Sequence, residues 1–221
     1  MTVVDVAPRR KHRVAVTLSP PPEAGILGAE YEGEKILIDK VIAARCDIAK
    51  GAVLSDADVK QLIFVSECYR AKERAVWLLS GQDYSEKGLY NKLLKVYTKE
   101  AAAFAVAQMQ KKGFINDEKF AAALALKCKA KNMSKRQIAE KLFQNGISKE
   151  ISDSLLNTEE TNNTDFECAL KLIKSKYINK LSNPNDRQKT FTALMRRGFS
   201  SEDIKKAMEY CQKGCFEEEI F

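Results

Sequence analysis

The side chains best suited to chemistry in this sequence are cations. Lys127, Lys129, Lys131, Lys135, Arg136 and Lys141 crowd one stretch, and Arg196-Arg197 form a second basic point. Residues 111–149 hold ten Lys or Arg against three Asp or Glu, a surplus equal to the +7 formal charge of the whole chain. Such a cluster recognises anions, either the phosphates of a nucleic acid or the carboxylates of an acidic protein surface. Arg136, with its planar fork of donors, is the strongest single candidate. Lysines also simply solvate helix faces, and basic residues just before a glycine cap, as in Arg196-Arg197-Gly198, are favoured at any helix end. No bond-making set stands beside the cations. There is no GxxxxGK[ST] phosphate loop. His12 is the only histidine, and the six cysteines (46, 68, 128, 168, 211, 215) form no CxxC pair, which argues against zinc. The acidic pairs Asp117-Glu118 and Glu159-Glu160 are adjacent, so their side chains do not converge on one substrate. The expectation is a binding regulator, not an enzyme, with no cofactor and no metal.

Helices must position these cations. Gly113 closes one helix, and Asn116 caps the next, expected over Asp117–Lys131 with Lys127 and Lys131 sharing a face at i, i+4. Ser134 with Gln137 forms a capping box for a second helix. Gly146 ends it, and Ser148 caps a third through Ile151 and Leu155. Asp117 reads as a favourable helix start and Phe120 as core. Upstream, Ser55 with Asp58 opens a helix toward Ile63, and a separate apolar stripe runs over Ala71–Leu79. Trp77 is expected to pack against a neighbouring helix or loop. Ser85 opens a helix with Leu89, Leu93 and Val96 on one side, and Thr98 caps Lys99–Lys112. Downstream, Thr164 with Glu167 starts a helix over Asp165–Lys180. Asn183-Pro184-Asn185 reads as a turn, with Asp186 capping a helix to Arg197. Ser200 with Asp203 opens a last helix closing near Gly214, followed by acidic residues Glu217–Glu219.

The front differs. Residues 1–10 read as a frayed start. Val14, Val16 and Leu18 alternate with Arg13, Ala15 and Thr17, a strand signal. Pro20-Pro21-Pro22 breaks it, a loop with Gly25 and Gly28 follows, and Gly33 leads into a second run, Lys35–Ile38, able to pair with the first. Asp39–Lys50 reads as a short helix stopped by Gly51. At 45% hydrophobic and 30% charged, the composition is that of a globular chain. No stretch approaches the roughly 18 apolar residues of a membrane helix, and no secretory apolar run opens the chain. The cysteines are expected as reduced thiols of a cytoplasmic protein.

A unit recurs. Leu142-Phe143, Gly146-Ile147-Ser148 and Ile151 correspond to Leu194-Met195, Gly198-Phe199-Ser200 and Ile204, with both leucines and both glycines 52 positions apart. A first copy is weaker: Leu93 to Leu142 is 49 positions, and Tyr97 stands where the glycine is expected. Units of about fifty residues must stack to bury their apolar faces. The expected architecture is mainly α: tandem three-helix repeats at 66–115, 116–160 and 161–221, forming an elongated curved solenoid, with a small extended or β segment at 1–65.

The stretch Asp117, Phe120-Ala121, basic Lys127–Arg136, Ile138, Leu142, Asn145-Gly146-Ile147 and Ile151 resembles the RecX family of bacterial recombination regulators. The resemblance spans roughly residues 66–213 and extends more weakly to Gly51-x-x-Leu54. Asn145 stands where the family usually has Lys, Asn132 where it often has Gly, and the Pro-rich loop is longer. The resemblance implies a monomeric negative regulator that binds the RecA recombinase and its nucleoprotein filament, inhibits ATPase and strand exchange, and modulates DNA repair. Weak non-specific DNA contacts are compatible with this. The alternative is a direct nucleic-acid-binding protein of helix-turn-helix-like units, although the helices lack the Arg/Asn/Gln density of base readout. A helical scaffold for another partner is the third reading.

Overall fold

A computed structural model describes residues 1–21, 31–32, 35–157 and 164–218. The expected loop glycines Gly25 and Gly28, Gly33, Glu159-Glu160 and Glu219 lie outside these residues, as do the side chains of Thr164, Glu217 and Cys215. The chain is mainly helical, with a small sheet at its front, and divides into two compact units, Met1–Ile115 and Asn116–Phe221.

The first unit opens with β1 (Thr2–Pro8), β2 (Arg13–Ser19), β3 (Tyr31–Glu32) and β4 (Lys35–Asp39), in sheet order β1-β2-β4-β3. The neighbours pair antiparallel, with Val16 opposite Ile36 between β2 and β4. The frayed start is therefore corrected to a strand. Its register with β2 shifts between Val3 and Asp5, which resets the alternation and hides the strand pattern. Its other edge bonds to residues 51–54: the Val3 amide donates to Ala52 O at 2.8 Å, and Gly51 N donates to Val3 O at 2.8 Å. Val3, Val14, Val16, Leu18, Ile36 and Ile38 form the sheet's core with Val59.

Asp39 caps α1 (Lys40–Arg45) through Val41 N; the helix ends earlier than expected, with Asp47 just beyond it at a left-handed φ of +48°, and Gly51 sits in the turn that follows. The two helical signals at Ser55 and Ala71 belong to one 26-residue helix, α2 (Asp56–Gly81). Its front buries Val59 against the sheet, while its rear buries Cys68, Ala71 and Ala75 in a second core. Because the buried side changes along its length, no single stripe runs through α2. Trp77 is on the unburied side at 61% exposure, with the Arg74 guanidinium 4.1 Å from its ring centre, and so does not pack on a neighbouring helix. The second core is completed by α3 (Glu86–Leu93) and α4 (Lys99–Lys111). Leu89 and Leu93 are fully buried, but Val96 lies beyond α3 and is exposed. Thr98 caps α4, and Glu67 of α2 accepts from both Thr98 N (2.7 Å) and Thr98 Oγ1 (2.8 Å).

The second unit holds α5 (Asp117–Lys129), α6 (Lys135–Gln144), α7 (Lys149–Leu156), α8 (Thr164–Leu172), α9 (Pro184–Arg196) and α10 (Ser201–Glu218). The helix expected to run to Lys180 changes winding. Ile173–Tyr177 is a π turn and Ile178–Lys180 a 3-10 turn. In an ideal helix Ile173 and Leu181 would differ by about 80° in direction, yet both are buried in one core. Asn183, rather than Asp186, caps α9, accepting from Asn185 N at 2.9 Å, with Pro184 in the first turn, where a missing N–H costs nothing. Gly214 does not stop α10, which continues to Glu218.

Candidate functional site

The basic stretch is positioned by locally encoded helix ends. Asn116 caps α5 through Lys119 N at 2.8 Å. The α5 helix stops at Lys129, earlier than expected, and Asn132 takes a left-handed φ of +53°, a conformation Asn adopts more cheaply than most residues. Lys131 therefore sits in the turn and does not continue the α5 face bearing Lys127. Lys127 and Lys129 are about 160° apart around α5. Ser134 then caps α6 as expected, its Oγ accepting from Gln137 N at 3.2 Å while Gln137 answers to Ser134 N.

What the sequence did not reveal is how the start of α6 is held. The same Ser134 Oγ donates to Arg197 O at 2.6 Å, and Lys135 N donates to Asp165 Oδ1 on α8 at 2.8 Å. The positive N-terminal end of α6 thus meets the carbonyl end of α9 and a carboxylate, a favourable alignment of helix dipoles. That arrangement offsets the cost of two cations, Lys135 and Arg136, in the first turn. Burial raises the Asp165 carboxyl above its usual pKa; the Lys135 amide bond opposes this, Asp203 adds to it, and the Lys135 charge opposes it. The Arg136 stem lies on the Gly198 turn. A Cβ at Gly198 would stand 2.9 Å from Arg136 Cβ, 3.0 Å from its Cδ and 3.0 Å from Ser134 Oγ.

The structure therefore brings Lys135 and Arg136 together with the Arg197 turn. Arg196 and Arg136 are exposed, and Arg197 is half-buried. Lys129 is near enough to Cys168 for its charge to act on that thiol. Lys141 is about 140° around α6 from Arg136 and belongs to a different side. Lys127, Lys131, Arg136, Lys141, Arg196 and Arg197 take part in no ion pair among the described residues. Sequence reasoning missed the large apolar side chains on these surfaces. Leu126 (67% exposed) lies on α5 opposite the core, and Phe143 (76% exposed) lies on α6 within about 20° of Arg136. The signal was present, since both fall off the buried stripes of Ala121, Ala125 and Cys128 and of Ile138 and Leu142. Among the described residues no three His, Cys, Asp or Glu cluster as a metal site, and no helix is long and apolar enough to cross a membrane.

Three-helix groups joined helix end to helix end, with uncompensated cations and exposed apolar side chains on their outer faces, define a tandem three-helix-domain protein with a surface suited to binding. Residues 163–208 match the family model described as RecX, third three-helix domain. The chain is 28% identical over 182 residues to the regulatory protein RecX of Caldanaerobacter subterraneus subsp. tengcongensis, covering 78% of this chain and 90% of that one. It is 30% identical over 143 residues to the regulatory protein RecX of Haemophilus ducreyi, covering 64% and 92%. For the regulatory protein RecX of Listeria monocytogenes the figures are 30% over 178 residues, with 77% of this chain and 64% of the relative's length spanned. This chain belongs to the RecX family of regulatory proteins. A crystal structure of regulatory protein RecX shares its fold at TM-score 0.65 and 21% identity, over 93% of this chain and 98% of that chain. RecX from Lactobacillus salivarius does so at TM-score 0.60 and 18% identity, over 67% and 98%.

Proposed function

We propose that this protein is a non-enzymatic negative regulator of the RecA recombinase. In this reading it acts in the cytoplasm as a monomer, binds the RecA–DNA filament, and inhibits ATPase and strand exchange. Its three-helix repeats are assigned to 66–115, 116–160 and 161–221. The partner contacts are assigned to Lys135, Arg136, Arg196 and Arg197 around the α6–α9 joint, and to Lys127, Lys129, Lys131 and Lys141, which lie on other sides of α5, its following turn and α6. The observation that carries the reading is an uncompensated cation on the same face of α6 as a large exposed apolar side chain, Arg136 with Phe143. Exposed apolar residues rimmed by charge suit a protein partner, whereas a nucleic-acid groove is dominated by cations that follow phosphates. The cations alone also support weak, salt-sensitive DNA contacts.

The test is the ssDNA-dependent ATPase of the cognate RecA, titrated with this protein below a one-to-one ratio with ssDNA in excess. Inhibition at sub-stoichiometric amounts is expected. Absence of inhibition by folded protein refutes the proposal, and tight sequence-selective DNA binding without an effect on RecA would favour the nucleic-acid reading. Replacing Lys127, Lys131, Lys135 and Arg136 together by Ala should abolish most inhibition while leaving helical content intact. Unchanged inhibition would remove these residues from the partner surface.

A further inference from the structure

A cavity of about 570 Å³ opens between the start of α9 and the middle of α10, away from the residues assigned above. Leu181, Phe191 and Met208 supply its apolar lining, and Gln188 and Gln212 supply amides from its two sides. Arg187 of α9 and Lys205 of α10 bring one cation from each side. Exposed Glu209, one turn on from Lys205, makes no ion pair among the described residues, and the other neighbouring acids are engaged elsewhere. Asp186 is bonded to Lys189 at 3.0 Å, Glu202 to Lys206 at 2.6 Å, and Asp203 accepts from Ser200 Oγ at 2.7 Å while the Ser200 oxygen caps α10. Neither Arg187 nor Lys205 has a side-chain partner among the described residues. The volume falls within the range of small-ligand pockets and suits two or three side chains.

We propose that this cavity is a docking site for an acidic peptide segment, with carboxylates held by Arg187 and Lys205 and an adjoining apolar side chain laid on Phe191 and Met208. Charge-assisted bonds from a guanidinium and an ammonium are directed at carboxylate oxygens, and the amides of Gln188 and Gln212 can meet the peptide backbone. A nucleic-acid strand fits less well. Only two cations line the cavity, too few to follow the recurring charges of a phosphate backbone, and Leu181, Phe191 and Met208 make the rest of its surface apolar. The site does not depend on the identity of the partner proposed above.

The experiment uses the full chain and three fluorescein-labelled probes: the peptide Glu-Phe-Glu-Glu-Leu-Glu, the same peptide with every Glu replaced by Lys, and a decameric oligo-dT. Fluorescence anisotropy at low salt should show saturable binding of the acidic peptide only. Arg187→Glu with Lys205→Glu should weaken it at least about tenfold, the effect of losing charge-assisted contacts. Lys92→Glu with Lys95→Glu, the same charge change at exposed lysines of the first unit, should leave affinity within about twofold, as for distant screened charges. Circular dichroism checks that both variants fold. Absence of saturable binding, equal loss in both double variants, or oligo-dT binding that depends on Arg187 and Lys205 would overturn the assignment.

Discussion

Gly198→Ala probes the joint that holds the basic segment, and Gly113→Ala supplies its reference. Both glycines follow a helix and take positive φ, +84° at Gly198 and +73° at Gly113. A Cβ at Gly113 meets nothing within 4 Å, so the change should cost only the left-handed backbone penalty, about 1 kcal/mol. At Gly198 the same Cβ meets Arg136 Cβ at 2.9 Å, closer than real Cβ contacts come, with Arg136 Cδ and Ser134 Oγ at 3.0 Å. Relief requires the α6 start to move away from α9, which costs about 1–3 kcal/mol of overpacking and strains the 2.6 Å Ser134–Arg197 bond. The total for Gly198→Ala is therefore about 2–4 kcal/mol. For a unit of this size that lowers Tm on the order of 10–25 °C. Urea unfolding followed by far-UV circular dichroism measures the loss in each variant. Adding Arg136→Gly to Gly198→Ala removes the contacting carbons and should recover part of the loss. If the two alanine variants differ by less than about 1 kcal/mol, or if Arg136→Gly only adds to the damage, the packing argument fails.

Three further outcomes follow from the same structure. Asp165 has a folded-state pKa above its ordinary 3.8, so the folded protein takes up this proton first, and its contribution to stability grows as pH falls through the folded pKa toward the unfolded one. Asp165→Asn retains an acceptor for Lys135 N but cannot titrate; the wild-type-minus-variant stability should rise with acidification across that window, and a flat difference would contradict the assignment. Trp77, the sole tryptophan, is exposed beneath Arg74, so its emission should resemble that of indole in water and be readily quenched by acrylamide; a blue-shifted, protected emission would place it in a core. The Cys68 thiol is pushed up to about 11 by burial and then by Glu67, so iodoacetamide at pH 8 should modify exposed Cys46 well before Cys68 in peptide mass mapping. Equal rates would contradict that environment.

Helix ends were the most legible part of this chain. Ser55, Ser85, Thr98, Asn116, Ser134 and Ser148 each cap a helix by accepting from the amide three residues on. Such a bond is complete within one turn, so residue type and spacing suffice to specify it. Gly113, Gly146 and Gly198 were legible for the same reason: each takes positive φ just after a helix. The cations could be located but not grouped. Where α5 stops, and that Lys141 turns away from Arg136, depend on the path of the backbone in space. Tertiary contacts alone decided that β1 pairs despite its interrupted alternation, that α2 is continuous across two cores, and that Trp77 remains in solvent. They also decided that α6 begins against a carbonyl 63 residues away and a carboxylate 30 residues away. The sequence by itself determined the local conformations, whose energies lie in hydrogen bonds between near neighbours. Only the folded chain determined which faces meet, because burial depends on surfaces brought together from distant parts of the chain.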